Sequence, residues 1–83
     1  MKLLYFAWLK QKIGKDGEEI ALPADVTDVA GLVSWLKGRG DACADALKDE
    51  GLIRVAVNQA YAKPNTAVTD GDEVALFPPV TGG

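Results

Sequence analysis

The chain has 83 residues, with 9 Lys and Arg against 12 Asp and Glu, no histidine and a single cysteine. A domain this small hides only about 60% of the surface its unfolded chain exposes, so a core and a deep private active site compete for the same residues, and a self-contained enzyme is a poor fit. Without imidazole there is no His-dependent triad or His-containing zinc site, and Cys43 alone can form neither an intrachain disulfide nor a Cys-rich metal centre.

The net charge of -3 opposes nonspecific binding to nucleic acid, which depends on excess Lys and Arg meeting phosphates. The apolar run that starts at Leu3 stops at Lys10, far short of the roughly 20 residues of a membrane span. A soluble, cytoplasmic protein is expected, and cysteine poverty fits a reducing compartment.

Residues 2–8 read as a strand with Leu3, Tyr5 and Ala7 on one face and Leu4, Phe6 and Trp8 on the other. A loop through Gly14, Asp16 and Gly17 leads to a second strand, Glu18 to Leu22, ended by Pro23. Thr27 followed by Asp28 marks a helix start, and Val29, Leu32, Val33 and Leu36 recur at the spacing of one buried helix face before Gly38 and Gly40. Asp41 to Glu50 reads as a second, weaker helix with Cys43, Ala46 and Leu47 turned inward and Gly51 closing it. Ile53, Val55 and Val57 alternate as the core face of a strand, and Asn58-Gln59-Ala60 turns into a short strand around Tyr61. Asp70-Gly71-Asp72 reads as a turn rather than a cation site, and it introduces a last strand, Glu73 to Phe77, with Val74 and Leu76 facing the core. The order β-β-α-(α)-β-β-β specifies an α+β domain over residues 1–77, a mixed sheet packed on one main helix. No metal site is expected.

The tail, residues 78–83, has a different character. Pro78 and Pro79 each remove an N–H and fix φ near about -65°, which stops a strand ladder and projects the chain as a stiff arm. Six extended residues reach about 20 Å, and two terminal glycines without Cβ atoms can thread a slot too narrow for other residues.

The segment Asp70-Gly71-Asp72-Glu73-Val74-Ala75-Leu76-Phe77-Pro78-Pro79-Val80-Thr81-Gly82-Gly83 resembles the C-terminus of the small, sulfur-carrying subunits of molybdopterin synthases, which have a ubiquitin-like β-grasp fold. Val57-Asn58-Gln59, Phe6-Ala7 and Gly14 resemble that family at corresponding places. The loop from Lys10 to Gly17, the helical region from Arg39 to Gly51 and the stretch from Ala62 to Thr66 are less distinctive.

The resemblance implies a chemistry. The Gly83 carboxylate, presented with Gly82, is adenylated by a ubiquitin-activating-type adenylyltransferase that uses ATP. A sulfur donor enzyme converts it to a thiocarboxylate, and that sulfur passes to cyclic pyranopterin monophosphate in a pocket of the large catalytic subunit to build the molybdopterin dithiolene. The expected assembly is a heterotetramer of two small and two large subunits, with no cofactor bound by this chain. Phe6, Tyr61 and Phe77, with Leu4, lie by strand parity on the sheet face away from the helix and form the expected docking patch, continued by Pro78, Pro79, Val80 and Thr81. The same chain end also suits a sulfur carrier for thiamin thiazole or cysteine synthesis, or a ubiquitin-like protein modifier. From another class, a noncatalytic protein-interaction domain would leave the terminal glycines incidental.

Overall fold

The computed structural model describes residues 1–79. Five strands and three helices follow in the order β1 (Lys2–Tyr5), α1 (Ala7–Ile13), β2 (Gly17–Glu19), α2 (Val29–Lys37), α3 (Asp41–Ala46), β3 (Arg54–Val57), β4 (Ala60–Tyr61) and β5 (Glu73–Phe77). The sheet order is β2-β1-β5-β3-β4, with β1 and β5 parallel at the centre and every other pair antiparallel. One sheet face is covered: Leu3, Tyr5, Val55, Val74 and Leu76 share a buried cluster with Val29, Leu32, Val33 and Leu36 of α2 and with Ala46 and Leu47. Removing one such leucine leaves a cavity that costs about 2–5 kcal/mol.

The first strand is shorter than its apolar run suggests. It ends at Tyr5, Phe6 continues extended, and Ala7, with φ 56°, turns the chain into α1. Trp8 therefore leaves the outer row of Leu4 and Phe6 and packs against the core from the helix. The segment after Lys10 is helical as far as Ile13, where Gly14 supplies the left-handed cap with φ 92° and donates to the Lys10 carbonyl. The aromatic β-formers of residues 2–8 hide this helix, whose cap residue Phe6 contributes no side-chain hydrogen bond.

Other boundaries shift for local reasons. Strand β2 ends at Glu19, although Ile20 still exchanges hydrogen bonds with Met1. The α2 cap is Asp28 rather than Thr27: its carboxylate accepts from the Gly31 N–H at 2.8 Å. Helix α3 stops at Ala46, and Gly51 lies inside a separate 3₁₀ turn, Glu50–Leu52, whose N–H is held by the Asp49 side chain at 3.1 Å. Cys43 is half-buried at the rim of the core rather than enclosed in it, and so is Val57.

A polar knot ties the edge strand down. The Tyr5 hydroxyl donates to Glu18 Oε2 at 2.6 Å, and Arg39 Nη1 lies 2.9 Å from the same oxygen. Lys15 Nζ reaches Glu18 Oε1 at 3.4 Å, while the Arg39 guanidinium lies over the Trp35 ring at 5.1 Å. Burial pushes the Glu18 carboxyl up, but the hydrogen bonds from Arg39 and Tyr5 prevail and hold it at about 2. Burial first, then the bond to Glu18, raises the Tyr5 hydroxyl well above its ordinary value of 10.0.

These two shifts set opposite limbs of a stability curve. Glu18 binds its proton less tightly folded than unfolded, so its contribution is present above pH 4.5 and fades as pH falls toward about 2. Tyr5 holds its proton more tightly when folded, so its contribution is full below pH 10.0 and declines above it. Denaturant titrations across pH should show Glu18→Gln flattening the acid limb and Tyr5→Phe the alkaline one. Unchanged limbs in both variants would remove the knot from the pH dependence.

The β3–β4 hairpin closes on two residues with positive φ, Asn58 at 51° and Gln59 at 70°, between the paired Val57 and Ala60. That is the type I′ pattern, which favours Asn-Gly because a Cβ strains the left-handed region. Gln59 is exposed. Gln59→Gly should therefore stabilise the fold by about 1 kcal/mol in chemical denaturation.

Candidate functional site

Strand register assembles the uncovered sheet face row by row. Leu4 pairs with Gly17 on one side and Ala75 on the other, Ala75 with Ala56, and Ala56 with Tyr61, which gives one continuous row across all five strands. The small alanines in the middle keep this row low. The next row, toward the C-terminal end of β5, holds Phe6, Phe77 and Arg54: Phe77 pairs with Arg54, and the Phe6 N–H donates to the Leu76 carbonyl at 3.1 Å.

Of the expected aromatic residues Tyr61 and Phe77 meet here, while Phe6 lies across β5 and lines a separate depression. Phe6 is 48% exposed and Tyr61 83%, whereas Phe77 is half-buried with its ring 5.9 Å from that of Tyr61 at a tilt of 51°. Such a pair prefers tilted geometry, and the Tyr61 ring lies largely in water. Arg54, Tyr61, Phe77 and Pro79 line a shallow depression of about 440 Å³, and Leu4, Phe6 and Lys10 share a second, of about 550 Å³, along β1 and β2. Pro78 and Pro79 are half-buried where the chain leaves the sheet. Val80, Thr81, Gly82 and Gly83 lie outside the described residues.

The exit is braced from below. Asn58, at the hairpin turn, donates its side-chain amide to Asp72 Oδ1 at 3.0 Å and accepts from the Glu73 N–H at 3.0 Å, and its own N–H donates to the Glu73 carbonyl at 2.7 Å. Asp72 also accepts from the Thr69 N–H at 2.8 Å. Hydrogen bonds from Asn58 first, and then from Thr69, hold the Asp72 carboxyl below its usual range. The Asp70-Gly71-Asp72 turn thus sets where β5 starts, and through its register where Phe77 and Pro78 end up. Asp70 caps the opposite side by accepting from the Leu22 N–H at 2.8 Å.

Sequence reasoning did not single out Arg54 or Lys10 for this surface. For Arg54 the signal was present, since a charge alternating between Ile53 and Val55 must point outward. Lys10 escaped because the helix that carries it escaped.

A β-grasp domain that presents aromatic residues beside the exit of a proline-led chain end defines the class of ubiquitin-like carrier proteins. Residues 3–83 match the model of the ThiS family, and the chain belongs to that family. The molybdopterin synthase sulfur carrier subunit of Escherichia coli is 43% identical over 83 residues, covering 100% of this chain and 99% of that protein. Among solved structures, the small archaeal modifier protein 1 of Haloferax volcanii superposes with a TM-score of 0.73 at 31% identity, covering 96% of this chain and 97% of that one. A chain from the complex of subunits 1 and 2 of molybdopterin-converting factor from Helicobacter pylori gives a TM-score of 0.61 at 25% identity, covering 99% of this chain and 96% of that one. Among the described residues no helix is long and apolar enough to cross a membrane.

The exposure of the patch separates binding from folding. Phe77→Lys should leave the far-UV spectrum and melting temperature near those of the parent, because the side chain points away from the core. A collapse of the fold would show that Phe77 supports the interior.

Proposed function

We infer that this chain is the sulfur carrier subunit of a molybdopterin synthase. The observation that carries the reading is full-length similarity at 43% identity to a curated subunit of that name, joined to a sheet face on which Tyr61 and Phe77 share a depression with Pro79.

The reactive group is the Gly83 carboxylate. A carboxylate resists nucleophiles because of its own charge and because its leaving group would be an oxide. Transfer of AMP from ATP on an activating partner gives an acyl adenylate with release of pyrophosphate. A sulfur donor then displaces AMP, and the C-terminus becomes a thiocarboxylate. In the large subunit its sulfur passes to cyclic pyranopterin monophosphate, and two such transfers supply the two dithiolene sulfurs. This chain contributes reach and positioning, since a chain end restricted by two prolines loses less freedom on entering a pocket. The globular face, through Phe6, Tyr61 and Phe77, contributes affinity.

The large subunit is the proposed docking partner, in keeping with the subunit 1 and 2 complex of the Helicobacter pylori factor. Two copies of each subunit, an adenylyltransferase, a sulfur donor enzyme and a cytoplasmic location complete the proposal. A second reading, conjugation to protein lysines, is favoured by the likeness to small archaeal modifier protein 1. It predicts lysine conjugates in cell extracts that disappear when Gly83 is deleted.

Intact mass spectrometry after incubation with the activating enzyme, ATP and a sulfur source should show one oxygen replaced by sulfur. Deleting Gly83 should abolish molybdopterin formation while leaving the fold and large-subunit binding nearly unchanged. Retained transfer by the truncated chain would overturn the tail chemistry. Phe77→Lys should weaken large-subunit binding about tenfold or more.

A further inference from the structure

The uncovered sheet face is electrically uneven. At the end where β5 begins, Lys2 lies between Glu19 and Glu73 in the register, so that row carries two carboxylates against one ammonium. At the end where β5 finishes, Arg54 lies beside Phe77 and lines the depression shared with Tyr61 and Pro79. Arg54 is exposed, and among the described residues it makes no ion pair. Glu50 borders a groove with Arg54 on the other side of β3, but its carboxylate is engaged by Lys37 Nζ at 2.9 Å. Asp16, the carboxylate at this end of the face, sits at the far side on the β1–β2 edge with Lys10.

Arg54 thus holds a guanidinium without an ion pair among the described residues beside Tyr61 and Phe77, in a chain of net charge -3. Exposed ion pairs gain little, but an Arg that becomes desolvated between aromatic rings gains a bidentate, charge-assisted pair when a carboxylate meets it. Arginine and tyrosine are also the residue types enriched at the energetic centres of interfaces.

Resting on the reading of this chain as the carrier that docks on the large subunit, we propose that Arg54 receives a carboxylate of the large subunit at the rim of the pocket its tail enters. The aromatic pair excludes water around that contact. The carboxylates at the opposite end, Glu19 and Glu73, repel the same acidic group, so the sheet can seat in one orientation only, with Pro78 and Pro79 aimed at the pocket. The pairing also speeds encounter through a local field that the chain's overall negative charge would otherwise oppose.

Association of the purified chain with the large subunit should be followed by stopped-flow or surface plasmon resonance at about 50 mM and about 300 mM salt, where screening differs strongly. Arg54→Glu should weaken binding about tenfold or more at low salt and flatten the salt dependence. Arg54→Gln should fall between that variant and the parent, and Arg54→Lys should keep the salt dependence while losing part of the affinity. Lys48→Glu, on the helical side, should bind like the parent. Equal affinity and salt slope for Arg54→Glu and Lys48→Glu would overturn the proposal, as would a defect confined to the activating partner. If the parent chain itself fails to bind the large subunit, the carrier reading falls and this proposal falls with it.

Discussion

The parallel pairing of β1 with β5 is the constraint on which the rest depends. Two strands at opposite ends of the chain lie side by side at the sheet centre, with Leu3 opposite Val74 and Tyr5 opposite Leu76, all four side chains buried. Burying each such side chain contributes about 1.5–3 kcal/mol, and a slip of one residue would turn the whole set to water. The same register fixes the other face. Leu4 falls beside Ala75, Phe6 comes level with Phe77, and the chain end leaves the domain at one defined point. A single pairing therefore supplies the core and also sets where Pro78 and Pro79 leave the sheet.

Because that pairing joins distant segments, it must be held at both ends. Below, Asn58 bridges the hairpin to the start of β5 through three hydrogen bonds with Asp72 and Glu73. At the sheet edge, Tyr5 and Glu18 join β1 to β2, and Arg39 joins that edge strand to the end of α2. These contacts are polar and mutually satisfied, part-buried at Tyr5 and Glu18 and exposed at Asn58, and they specify register where apolar packing alone would tolerate a neighbouring solution.

The legible parts of the sequence were those where one period ruled without competition. The α2 stripe of Val29, Leu32, Val33 and Leu36, the alternation in β5 and the hairpin at Asn58-Gln59 all stand as expected. The missed helix α1 shows the opposite case. Leu9 and Ile13 are its buried pair, four residues apart, but Tyr5, Phe6 and Trp8 immediately before and within it favour a strand, and the switch between the two occurs at a positive φ on an alanine. Local propensity cannot announce such a turn, since the packing of α1 against the core selects it. The patch was legible for a related reason: parity carries over from strand to strand once the core face is known. Trp8 was misplaced only because the parity was extended past the end of its strand. The tail chemistry rests on composition and resemblance, and residues 80–83 lie outside the described part of the structure.

A domain without histidine has no side chain whose ordinary pKa lies near neutrality, and its single thiol is half-buried. In a carrier this is a consistent solution rather than a deficit. In the proposed function the chemistry belongs to a main-chain carboxylate activated on one protein and consumed on another, so acid-base groups on the carrier would have to suit two different pockets. Recognition faces the same double demand. Broad aromatic contacts through Phe6, Tyr61 and Phe77 adapt to more than one surface, whereas a guanidinium asks for a carboxylate at a defined place. In the proposed docking the aromatic patch is thus the general part of the interface, and Arg54 is where one partner would be told from another.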